Sequence, residues 1–233
     1  MISNTLRALV DRQLDALRLV RFTPDPLFPS TSLQCQLQAS ATKRHGPLIE
    51  AAIIEALTQD ADYLIWREPR FLIPPAADHA VQSQQSDEIA ATRLPYGSTN
   101  GRALQIDLLA YSRSRRLLGA YEIKRGFGRH DAGKLRSLRR DVFTVHMTLA
   151  SYGTARGLSV DDAASRVIFY YGARTLPPAW SLIGQQLDDH FGCRVRASVE
   201  GMTDYFRTRL EQFIEGLDDL RPELRQLKLE LAS

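Results

Sequence analysis

The chain has 233 residues, 44% of them apolar, with a formal charge of +3 and two cysteines, Cys35 and Cys193. That length fits one large domain or two small ones with a packed core. Two cysteines without a CxxC pair exclude a disulfide scaffold and argue against a zinc site, and no apolar run nears the roughly 20 residues of a membrane-spanning helix. Arg7, Asp11, Arg12 and Asp15 interrupt the first twenty residues, so no signal-peptide core is present there. The expectation is a soluble cytoplasmic protein with no membrane partner. Only four of the 30 basic residues are Lys, at 43, 124, 134 and 228. Arginine presents a planar fork that suits phosphate, although a GC-rich genome gives the same bias.

In chain order, Ile2, Leu6, Leu9, Leu14, Leu17 and Val20 recur at helical spacing and predict an amphipathic helix. A Pro-bearing connector follows, so residues 1–40 read as a helical extension and linker ahead of a main body over 41–233. Pro47 suits a helix first turn, and Ile49, Ala52, Ile53, Ala56 and Leu57 give that helix its apolar face, with Glu50 at the edge. Residues 63–74 predict an extended segment in which Pro69 forces a bulge, a bend or an edge position. Residues 75–101 lack a clear period and predict a loop insertion.

Two strand-like runs, ALQIDLLAY and RLLGAYEIK, flank SRSR. A tight turn centred on Ser114 and Arg115 pairs positions summing to 229, which sets Asp107 opposite Glu122 on one face, with Lys124 two residues further along that face. Asp131 then caps a helix whose stripe is Leu135, Leu138, Val142, Val145 and Leu149, with Gly153 as its expected stop. The remainder predicts a buried strand (SRVIFYYGA), a helix (PAWSLIGQQLDDHFG), a strand (CRVRASVE) and C-terminal helices. This is an α/β chain with a mixed central sheet flanked by helices.

Charge is concentrated in one place. Residues 102–140 hold eleven basic residues against three acids, the pattern of a polyanion contact or of a solvated basic face. Two phosphate chemistries compete for it. Gly128 to Leu135 satisfies GxxxxGK, but Leu135 stands where a nucleotide-binding loop needs Ser or Thr, and the following strand ends without the Asp that would complete the metal site. A P-loop NTPase is therefore the remote alternative. Asp107 and Glu122 instead supply the paired carboxylates that a hard divalent cation needs, and Lys124 supplies a group to orient water or offset charge.

Asp107, fourteen intervening residues, then Glu122-Ile123-Lys124 at the end of a second strand resembles the PD-(D/E)XK nuclease superfamily, with Ile106 in place of the Pro that names the motif. The resemblance spans about residues 44–199 and implies the restriction-endonuclease-like fold. It also implies catalysis by Asp107, Glu122 and Lys124 with support from Glu50, and magnesium, or manganese in its place, held by Asp107, Glu122 and Glu50. Nucleic-acid binding is expected from Arg125, Arg129, Lys134, Arg136 and Arg140. The expected activity is a magnesium-dependent deoxyribonuclease, an endonuclease in restriction, repair or defence, with DNA as partner and a homodimer as the assembly that would cut both strands. The alternative is a noncatalytic nucleic-acid-binding or assembly module of the same fold.

Overall fold

The computed structural model describes residues 2–20, 27, 32–97, 100–126, 131–172 and 174–218. Arg129, His130, most of the Pro-bearing connector and the last helical run from Pro222 lie outside the described residues. The elements in order are α1 (Asn4–Arg18), α2 (Ser32–Thr58), β1 (Tyr63–Ile73), α3 (Pro75–Ser83), α4 (Ser86–Ala91), β2 (Arg102–Ser112), β3 (Leu117–Lys124), α5 (Ala132–Ala155), β4 (Asp162–Phe169), β5 (Ser181–Ile183), α6 (Leu187–Phe191) and α7 (Val195–Asp218). No helix among them is long and apolar enough to cross a membrane. They form two compact units, Met1–Ile53 with Arg196–Ser233, and Ile54–Val195.

The first unit is helical. Ser3 caps α1 by accepting from the Leu6 amide at 3.0 Å, and Leu6, Val10, Leu14 and Leu17 form its buried stripe. α2 does not begin at Pro47, as the sequence suggested, but runs through it. Leu37, Ala41, His45, Leu48 and Ala52 are all buried at three- and four-residue spacing, so one continuous apolar face carries the helix across the amide that proline lacks. The predicted strand CRVRASVE is instead the start of α7. Val195, Val199, Met202 and Phe206 are buried at helical spacing, and Arg196 pairs with Glu200 at 2.8 Å, one turn on. Alternating valines gave the strand pattern; the longer period prevailed.

The second unit is built on a five-stranded mixed sheet of order β1-β2-β3-β4-β5. β1, β2 and β3 run antiparallel, and β4 is parallel to both β3 and β5. α5 makes the crossover from β3 to β4 and packs on the sheet, as parallel strands require. Pairing of Leu108 with Tyr121 through Ser112 with Leu117 has the predicted register summing to 229. Pro69 lies in edge strand β1, where the register with β2 shifts between Glu68 and Phe71.

Three predictions fail here. Residues 75–91 are not loop but α3 and α4, which pack on α5 through buried Ala77 and Ile89. Gly153 does not stop α5; a β-carbon there would meet Val160 Cγ2 at 2.6 Å and Leu118 Cδ2 at 2.8 Å, so glycine permits close approach of helix to sheet. The predicted helix over 178–192 is broken into a 3-10 turn, β5, a second turn and the short α6. Ser181 ends its first turn by bonding back to the Leu176 and Pro177 carbonyls at 3.0 Å each.

Candidate active site

Asp107 immediately precedes Leu108, whose pair with Tyr121 ends the β2–β3 ladder, and its side chain takes over there. Its Oδ2 accepts the Ile123 amide at 3.2 Å, substituting for a strand carbonyl and fixing the carboxylate beside β3. Glu122 is the next residue along β3 after that pair, and its carboxyl is near enough to Asp107 for that charge to act on it. Lys124 Nζ donates to Glu122 Oε1. Alternation along β3 puts Glu122 and Lys124 on one face. The sheet therefore gathers three of the four predicted catalytic side chains, two carboxylates and one ammonium.

Asp107 and Glu122 line one side of a pocket of about 280 Å³ between the sheet and α5, to which α5 contributes Asp141, Val142 and Val145. Burial pushes the Glu122 carboxyl above the usual carboxylate range, and the Asp107 charge adds to the rise while Lys124 opposes it. Both Glu122 and Lys124 remain partly accessible, at 29% and 36% of the side chain. A ligand can therefore reach them.

Glu50 stands partly buried on α2, in the helical unit. Among the described residues, no three His, Cys, Asp or Glu side chains come together as a metal cluster. The proposed donor set in the sheet unit is thus the Asp107–Glu122 pair. Oxygen donors alone, drawn together despite mutual repulsion, suit a hard divalent cation.

The basic segment does not form one surface. Arg113, Arg115 and Arg116 occupy the β2–β3 turn, a strand length of roughly 23 Å from Lys124. There Arg116 pairs with Asp161 at 3.1 Å, and Arg115 bonds Ser112 Oγ and the His190 carbonyl. Arg102 and Arg140 are engaged by acids: Arg102 bonds Asp141 at 2.7 Å, and both reach Asp78 of α3, at 3.4 and 2.7 Å. Of the predicted phosphate contacts, Arg125 lies over the exposed Tyr171 ring at 5.2 Å. Lys134 and Arg136 stand exposed on the first turns of α5, Lys134 paired with its cap Asp131 at 3.3 Å. These are the cations that follow Lys124 directly.

Sequence reasoning missed Asp141. Its signal was present: it follows Leu138 by three and precedes Val145 by four, a carboxylate bordering an apolar stripe. His45, His190, Tyr111 and Tyr121 are engaged by the protein itself. His45 Nε2 bonds Thr203 Oγ1 at 3.0 Å, and Tyr111 and Tyr121 are buried in the packing. His190 bonds Tyr121 Oη at 2.7 Å and Arg166 at 3.3 Å, so both its ring nitrogens are occupied by protein groups. No family model, no curated protein and no solved structure matches this chain.

Proposed function

We propose that the protein is a metal-dependent phosphodiesterase acting on nucleic acid, a deoxyribonuclease of the PD-(D/E)XK type. The observation that carries this reading is the joining of Asp107, Glu122 and Lys124 on one sheet face at the end of the β2–β3 ladder. The order of helix, three antiparallel strands, crossover helix and parallel strand supports it, being the restriction-endonuclease-like arrangement the resemblance implies.

Asp107 and Glu122 are the residues that would hold magnesium. Bound there, the ion would neutralise phosphate charge and make a water molecule more acidic. The chain supplies the rest. The Ile123 amide keeps Asp107 turned toward Glu122, whose burial and like-charged neighbour leave it poorly stabilised without a cation. Lys124, tied to Glu122, orients the attacking water and offsets charge growing on the phosphate. Water adds to phosphorus, giving up a proton to solvent, and the bridging P–O bond breaks. One product carries the new phosphate monoester and the other the hydroxyl, the leaving oxygen taking a proton from solvent. Arg125, Lys134 and Arg136 hold the flanking phosphates.

The test is incubation of supercoiled plasmid with wild type, Asp107→Ala and Lys124→Ala, with and without magnesium or manganese. Metal-dependent nicking by wild type, reduced about a thousandfold in both variants, is expected. Binding with a steep salt dependence and no cleavage would instead favour the noncatalytic module.

A further inference from the structure

The pocket behind the carboxylate pair is larger than one cation and one water require. Its volume is about 280 Å³. Leu104 of β2, Ala120 of β3 and Val142 and Val145 of α5 give it apolar walls. Beyond the carboxylate pair, three polar residues line it: Gln105 from β2, Asp141 from α5, and Ser165 from β4, which is only 5% exposed. Apolar walls with a few placed polar groups are how proteins hold a nucleobase taken out of its stack.

Asp141 is held by an unusual amount of structure. Arg102 Nη1 donates to its Oδ1 at 2.7 Å, while Nη2 of the same guanidinium reaches Asp78 and Thr144 Oγ1, each at 3.4 Å. Arg140 Nε donates to Asp78 at 2.7 Å. Two arginines and two aspartates thus join α3, β2 and α5. A carboxylate bonded to a guanidinium accepts hydrogen bonds and donates none. Cytosine presents an amine at the position where uracil presents a carbonyl oxygen.

Building on the phosphodiesterase reading, we propose that this pocket receives an unpaired nucleobase beside the scissile phosphate, and that Asp141 selects a base bearing an exocyclic amine. The preferred pyrimidine is cytosine over uracil or thymine. Because the base must leave its stack to enter, single strands and locally unpaired stretches, which a supercoiled plasmid also offers, are preferred over relaxed duplex. The insertion acquires a role as well: Asp78 of α3 anchors the arginine that presents Asp141.

The experiment is anisotropy of labelled oligo(dC) and oligo(dU), at low salt with calcium in place of magnesium. It compares wild type with Asp141→Asn, Ser165→Ala and Lys124→Ala, each checked for folding by circular dichroism. Wild type is expected to bind oligo(dC) about tenfold more tightly, the discrimination of one charge-assisted hydrogen bond. Asp141→Asn, whose amide also donates, narrows or reverses the preference; Lys124→Ala keeps it. Equal binding of the two oligonucleotides by wild type overturns this proposal without recourse to any variant, as does a preference that survives Asp141→Asn, and both leave the nuclease reading standing. Failure of wild type to bind either oligonucleotide overturns the nucleic-acid reading itself.

Discussion

Neighbouring residues of β3 face opposite electrostatic environments. On one face Glu122 meets a second carboxylate, and burial together with that neighbour raises its pKa. On the other, the Tyr121 hydroxyl meets His190, whose second ring nitrogen accepts from Arg166. Burial, then the charges of Arg166 and Arg115, holds His190 down at about 4, so it is neutral near pH 7 and fits its partners as it stands. Both faces perturb titratable groups, but only the Glu122 face leaves like charges side by side. A shifted pKa is therefore a poor marker of a site by itself; two carboxylates held beside each other are a better one.

The contrast can be tested from its largest effect downward. Glu122→Gln should lower metal-dependent cleavage about a thousandfold, while His190→Gln leaves the rate unchanged, by plasmid nicking. Next in size is the acid sensitivity owed to His190. Its folded pKa is depressed, so its contribution is present above about pH 6.5 and is lost as pH falls toward 4, worth up to about 3 kcal/mol. Urea titrations across that window should show His190→Gln losing less stability than wild type; parallel profiles would refute the assignment. Tyr121→Phe, which removes the hydroxyl at 2.7 Å from His190, should cost about 1–2 kcal/mol at neutral pH in the same assay.

The smallest effect has the opposite sign. Because the folded pKa of Glu122 is raised, its contribution is full below the ordinary carboxylate range and is lost as pH rises through the raised value. Asp107→Asn removes part of that rise. Without metal, it should make the protein about 1 kcal/mol more stable near pH 8 and flatten the fall in stability that begins above the ordinary carboxylate range in thermal melts. A destabilised Asp107→Asn would show that the carboxylate contributes more through the Ile123 amide than it costs through repulsion.

The candidate site was legible because its information is local. A strand alternates every second residue and a short turn fixes one register, so Asp107, Glu122 and Lys124 could be placed on one face from the sequence alone. What was not legible depends on tertiary neighbours. Val195 and Val199 fit a strand until Met202 and Phe206 extend the helical stripe. Ala77 and Ile89 give the insertion too few apolar residues to show a period, yet each is buried against the α5 layer. The dense basic run was read as one field, but a hairpin reverses the chain within it and sends Arg113, Arg115 and Arg116 to the far end of the strands. Linear charge density becomes surface charge density only after the fold is known.

Pro69 bears on solubility. β1 ends the sheet, and a strand at that position offers its outer backbone groups to any other extended chain. Pro69 has no amide hydrogen to offer, the register shifts beside it bend the line of acceptors, and exposed Arg67 and Arg70 place positive charge on either side. Growth of the sheet from one molecule into the next is thereby discouraged at this edge. Pro69→Val is the change that would invite fibrous association along β1.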